Sequence, residues 1–182
     1  MSVLSNVDIL RHIHAGELVI RPFDLQRFNP ESVDLCLLGE YRILENLWAV
    51  EVVDLSVQFE SFLGGSLRKH SCEKRLIRSR LVLRPGKVVV GFVKEYIKMP
   101  NNLCAIVDGK SHWAQLGLQV ASAGLVHANW EGRLVLELVN LGNVPLVLHA
   151  GLPVCQISFF PLTSPAASPE ELLAFWKGKD ND

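Results

Sequence analysis

The stretch 109–118 reads GKSHWAQLGL. A glycine, a cation and a hydroxyl in succession can surround a phosphate. Gly109 permits close backbone approach, Lys110 supplies charge and Ser111 supplies a hydroxyl. The same residues also suit an ordinary connection between strands, and spacing alone leaves both readings open. It is not a P-loop, which needs GxxxxGK(S/T) running into a helix. The second chemical candidate is Glu137, inside RLVLELVN at 133–140. In a strand, Leu134, Leu136 and Leu138 point one way and Val135, Glu137 and Val139 the other. A carboxylate among valines is either an exposed edge residue or a buried group whose pKa is tuned for acid–base work.

Other reactive types carry less. Trp130, in HANWEG, either stacks on a ligand or packs. His12 and His14 are two apart on a predicted helix and face different ways, so they form no metal pair. His127 and His149 lie near turns. Cys36, Cys72, Cys104 and Cys155 are far apart, with no CxxC and no zinc-ligand spacing. Buried, reduced thiols of a cytosolic protein are the expectation.

The elements that must position these groups follow from pattern. The chain has 182 residues, 49% of them apolar, enough for one domain with a sizeable core. The net charge is -1, with no global basic field for nucleic acid. The N-terminal MSVLSNVDILRH lacks the features of a signal peptide, and the apolar run 152–162 is too short to span a bilayer. A soluble, cytoplasmic protein without membrane or nucleic-acid partners is expected. Residues 5–15 predict a helix, with Ser5 as N-cap, Ile9, Leu10 and Ile13 as its apolar stripe and Gly16 as its stop.

From residue 17 the period changes. Short apolar runs at 18–20, 32–38, 41–44, 52–59, 81–83, 87–93, 103–107, 118–122, 133–140, 145–149 and 153–160 are separated by turn residues. That spacing predicts an all-β sandwich or barrel. The segment 64–80 carries six Lys/Arg and one Glu. It reads as a solvated loop or edge hairpin, or as an anion patch. Residues 163–169, TSPAASP, read as a linker before a short helix at 170–176 and a polar tail.

Six separated blocks, taken in order, resemble the dCTP deaminase branch of the dCTP deaminase/dUTPase superfamily. They include LSNVDILRHIHAGELVIRPF at the start, NPESVDL at 29–35, the 84–111 block ending in VDGKS, and the long stretch from Gly117 to Phe160. The resemblance implies a distorted β-barrel or jelly-roll of the dUTPase-like (β-clip) type with a short N-terminal helix. It implies one nucleotide-binding domain over 1–162 and, over 163–182, a linker and tail that closes over the site. It implies a homotrimer with sites between subunits, a pyrimidine deoxynucleoside triphosphate as ligand, and Mg²⁺ carried by the triphosphate. Zinc is not implied, and the sequence lacks the HxE…PCxxC signature of zinc deaminases.

By the same resemblance Glu137 is the general base for hydrolytic deamination at C4 of cytosine, and Ser111 helps position the water. Lys110 and His112 belong to the phosphate turn. Ala123 and Val126 offer backbone groups to the base, and Trp130 lies against the deoxyribose. Gln156 is a further substrate contact, as are Trp176, Lys177 and Lys179 in a tail resembling YQGQ. The family pattern G-R-S-S-x-x-R-x-G-L is altered: Lys110, His112 and Gln115 replace Arg, Ser and Arg. His127 and Ala128 stand for Asp-Pro, and Ala121 for a histidine. Gln115 replaces the arginine that supports the catalytic serine and water, and a missing donor of that kind costs about 10²–10³ in rate. Three activities therefore remain open: a deaminase, a non-catalytic nucleotide-binding or regulatory protein, and a dUTP diphosphatase.

Overall fold

The computed structural model describes residues 2–45, 72–121 and 124–177. The predicted strand at 52–59, Ala123 and Lys179 lie outside them. So do residues 64–71 of the basic segment.

Helix α1 (Asn6–His14) forms where its caps and stripe predict. Ser5 Oγ accepts the Asp8 N–H at 3.3 Å, and Ile9 is fully buried. Eleven strands follow: β1 (Val19–Arg21), β2 (Val33–Glu45), β3 (Cys72–Ile77), β4 (Arg80–Leu83), β5 (Val88–Lys98), β6 (Leu103–Gly109), β7 (Leu118–Val120), β8 (Leu125–Val126), β9 (Glu131–Asn140), β10 (Leu146–His149) and β11 (Pro153–Pro161). Helix α2 (Ser111–Ala114) interrupts the run between β6 and β7, and α3 (Pro169–Lys177) ends it.

Nine strands form one sheet in the order β7-β9-β5-β2-β11-β6-β8, with β1 on β5 and β3 on β2; β10 and β4 form a separate ribbon. All pairings are antiparallel. The sheet curls into a half-barrel around one apolar cluster that includes Leu35, Tyr41, Val93, Leu136, Leu138 and Phe159. The all-β expectation holds, but the ladder does not close into a barrel among the described residues. Its two ends approach instead: a Cβ on Gly109 of β6 would meet Val120 of β7 at 3.5 Å.

One expectation changes. The runs 32–38 and 41–44 are one strand, because Gly39 takes φ +86 and carries β2 through the bend rather than ending it. Of the readings of the basic segment, the described part follows the edge strand, since β3 pairs residue by residue with β2 from Glu40 to Glu45. A short helix the sequence did not announce, α2, lies between β6 and β7.

Strand β2 serves both halves of the sheet. Its start pairs with β11 and its later part with β5 and β3. Register shifts lie on both sides of the switch, between Pro153 and Cys155 and between Leu37 and Tyr41. At the switch the Cys36 N–H donates to Glu95 Oε2 at 2.9 Å. Glu95 points into the core, 6% exposed, between inward-facing Val93 and Ile97. A carboxyl thus replaces the missing ladder acceptor. The two thiols beside this seam are buried; Cys104 is only half-buried. Burial pushes the Cys155 thiol up to about 12.

Burial likewise raises the Glu95 carboxyl above its ordinary 4.5, opposed by the Cys36 N–H. The folded chain then holds that proton more tightly than the unfolded chain. The resulting stabilisation is complete below 4.5 and is lost as pH rises through the folded value. Glu95→Gln keeps the acceptor and removes the ionisation. Its stability relative to wild type, read by urea unfolding at pH 4 and pH 8, is expected to be more favourable at pH 8. An equal difference at both pH values would refute a buried, titrating Glu95.

Candidate active site

Glu137 lies on the outer face of β9, half-buried, while Leu134, Leu136, Leu138 and Asn140 face the core. The alternation read from the sequence is the one observed. The strand is not an edge, however: β9 pairs with β5 along one side and β7 along the other. Val90 is the register partner of Glu137, Val88 of Val139 and Phe92 of Val135. On the other side the Ala121 N–H donates to the Glu137 carbonyl at 2.7 Å. Directly paired residues share a face. Arg42 of β2, opposite Val90, continues the row and stacks 4.7 Å over the Phe92 ring. One carboxylate therefore stands on a face of Val88, Val90, Phe92, Val135 and Val139. Its side chain makes no hydrogen bond among the described residues.

The GKS stretch is not a plain turn. Lys110 caps α2, its carbonyl accepting from the Trp113 and Ala114 N–H groups at 3.0 and 3.1 Å. The helix is pinned to β11 by the Trp113 indole, which donates to the Pro153 carbonyl at 2.7 Å. The glycine of the following LGL has a geometric reason. Gly117 takes φ +93, and a Cβ there would lie 2.4 Å from the Gly142 nitrogen. Gly109 has no such demand; its neighbour is Val120 at ordinary contact distance, so close ligand approach is not what its geometry requires.

The Lys110 ammonium turns back onto β2 and pairs with Asp34 Oδ2 at 2.5 Å, the side chains 15% and 14% exposed. Asp34 Oδ1 also accepts from Asn29 Nδ2 at 2.8 Å. Asn29 reaches Ser32, whose hydroxyl donates to Gln156 Oε1 at 3.1 Å. Gln156 is the register partner of Asp34 on one side and of Asp108 on the other. The structure thus brings Lys110 and Gln156 together through Asp34, Asn29 and Ser32, to which sequence reasoning gave no role. The signal was available: Asp34 is a carboxylate inside the apolar run SVDLCLL, as Glu137 is inside RLVLELVN.

Ser111, His112 and Gln115 are exposed on α2. The His112 ring meets Trp113 edge-on at 4.4 Å. The side chains of Ser111 and Gln115 make no hydrogen bond to Glu137 within the chain. Val126 is buried in β8 opposite Ala105, leaving only its backbone for a ligand. His127 is exposed; its carbonyl accepts the Trp130 N–H at 3.3 Å across a turn in which Asn129 takes φ 63. Trp130 is half-buried against the core, so packing accounts for part of its surface. Trp176 is 68% exposed on α3, and the Lys177 side chain is outside the described atoms.

A family model described as dCTP deaminase-like matches residues 3–162. The chain belongs to the dCTP deaminase-like family. It is 34% identical over 174 residues to a protein named "dCTP deaminase, dUMP-forming" from Dictyoglomus thermophilum, covering 92% of this chain and 84% of that one. A protein of the same name from Persephonella marina is 31% identical over 167 residues, covering 92% and 88%. The solved structure of 2'-deoxycytidine 5'-triphosphate deaminase from Agrobacterium tumefaciens superposes with a TM-score of 0.63 at 18% identity. It matches 96% of this chain but 52% of that one, so the chain spans about half its length and the likeness is one of fold.

The pinning of α2 is testable. Trp113→Phe removes one partly buried hydrogen bond and is expected to lower unfolding free energy by about 1 kcal/mol, read by urea titration. No loss would mean that the indole bond does not hold the helix.

Proposed function

We propose that this protein deaminates dCTP and releases dUMP, the product named for its relatives from Dictyoglomus and Persephonella. The observation that carries the reading is Glu137, one carboxylate on an outer face lined by valines and Phe92, with Arg42 beyond Val90, and with no hydrogen-bond partner among the described residues. A carboxylate so placed is open to a ligand, and glutamate is a residue type that serves as general base in proton-transfer catalysis.

Glu137 takes a proton from water as the oxygen adds to C4 of cytosine and passes it to ring N3. It then takes the second proton from the new C4 hydroxyl and delivers it to the amino group, which leaves as ammonia as the C4–N bond breaks and the C4 carbonyl forms. Ser111 and Gln115 orient the water. Ala123 and Val126 present backbone groups to the base, and His127 and Trp130 bound the sugar side. Lys110, His112 and Gln156 serve the phosphates, with Trp176, Lys177 and Lys179 closing over them. Among the described residues no group of three His, Cys, Asp or Glu is placed to hold a metal. Mg²⁺ would arrive on the triphosphate, where it would neutralise phosphate charge. Conversion to dUMP further requires water to cleave the bond between the α- and β-phosphates, releasing pyrophosphate.

The assembly proposed is a homotrimer. The face around Glu137 exposes 55% of Val88 and 43% of Val135, apolar surface that a second copy would cover. A covering copy would also exclude water and bring the exposed Ser111 and Gln115 of one chain toward the Glu137 of another.

Incubation with dCTP and Mg²⁺, followed by chromatography with mass detection, is expected to yield dUMP. Glu137→Gln is expected to lower turnover at least about 10³-fold while nucleotide affinity stays near wild type. Full activity in that variant would remove Glu137 from the mechanism, and dUTP cleavage without deamination would point to a diphosphatase. Light scattering is expected to give three copies of the 20.3 kDa chain; a monomer would overturn the shared site.

A further inference from the structure

We propose that Asp34 is a positioning residue for the nucleotide, acting through Lys110: its carboxylate fixes the lysine ammonium so that the remaining donors face the phosphates. The inference rests on the nucleotide-site reading above and adds a residue to it.

The geometry starts from the lysine. Residue 110 is tied at three points. Its N–H donates to the Val154 carbonyl at 3.4 Å, its carbonyl caps α2, and its ammonium reaches Asp34 at 2.5 Å. An ammonium has three donors in a compact, freely rotating head. The bond to Asp34 uses one of them, leaving two for a ligand, and the side chain keeps 15% exposure. Ser111 and His112, which follow it in the chain, are exposed.

Lysine needs this help where arginine does not. A guanidinium carries its own fork and meets a phosphate in a set orientation, whereas an ammonium is a point charge on a flexible stem. An ammonium already held by Asp34 has lost its rotational freedom before the ligand arrives, which removes part of the cost of binding. Asp34 is itself fixed from the other side by Asn29 at 2.8 Å.

The alternative makes the opposite prediction. A carboxylate 2.5 Å from an ammonium that meets a triphosphate also repels that triphosphate. If Asp34 were only a neighbouring charge, its neutralisation would tighten binding. If it positions Lys110, neutralisation weakens binding. The sign of one substitution separates the two.

The test is calorimetric titration with α,β-imido-dUTP, dUMP and deoxyuridine, none of which can turn over by deamination. Asp34→Asn is expected to weaken α,β-imido-dUTP binding about tenfold or more, dUMP less, and deoxyuridine not at all. Asn29→Ala keeps the Asp34 charge but frees its carboxylate, and is expected to act in the same direction with smaller size. Circular dichroism confirms folding; should Asp34→Asn unfold, Asn29→Ala carries the comparison. Tighter or unchanged triphosphate binding overturns the proposal, as does an equal loss for all three ligands. A wild-type protein that binds none of them overturns the nucleotide-site reading itself, a result distinct from normal wild-type binding with an unaffected variant.

Discussion

The seam in β2 is the constraint on which the architecture depends. One strand pairs with β11 near its start and with β5 and β3 further on, so it must change partners inside the core. A backbone N–H at such a switch has no ladder acceptor and no water. Leaving it unpaired would cost about 1–3 kcal/mol. The Glu95 carboxyl fills that place, and burial keeps it inclined toward its neutral form. The curl of the sheet brings β6 and β7 toward each other, and α2 leaves from that end.

Two carboxylates interrupt apolar strands on the outer face, and their surroundings separate their uses. Asp34 has a cation and an amide on its two oxygens. Such a carboxylate is fixed in orientation from both sides. Glu137 has valines along its strand, Val90 beside it and no side-chain hydrogen-bond partner among the described residues. The two carboxylates thus differ in their neighbours: one is held from both sides, the other is left open.

Of the residues named as departures, Lys110 is partly buried and four others are exposed. His112, Gln115, Ala121 and His127 all lie on the surface of the chain, while α2 is fixed by Trp113 and Lys110. Substitution at those four positions leaves the packing alone. The pins of α2 point inward and its other polar side chains lie on the surface, so the fold does not depend on the latter.

Much of the architecture is local and so was legible in the residues. The helix 6–14 follows from Ser5 and a 3.6-residue stripe, and the two faces of β9 follow from strict alternation in RLVLELVN. Order of motifs placed the chain in its family. Partnerships across the sheet are not local. No pattern in NPESVDL says that Asp34 meets a lysine 76 positions later, because that contact exists only once β11 lies between β2 and β6. Nor does GFVKEYIK announce that Glu95 points inward, since the inward face of β5 is set by the strands on either side of it. Sequence fixes which side chains alternate together; tertiary structure decides which face is core and which polar groups meet, because that depends on residues far apart in the chain.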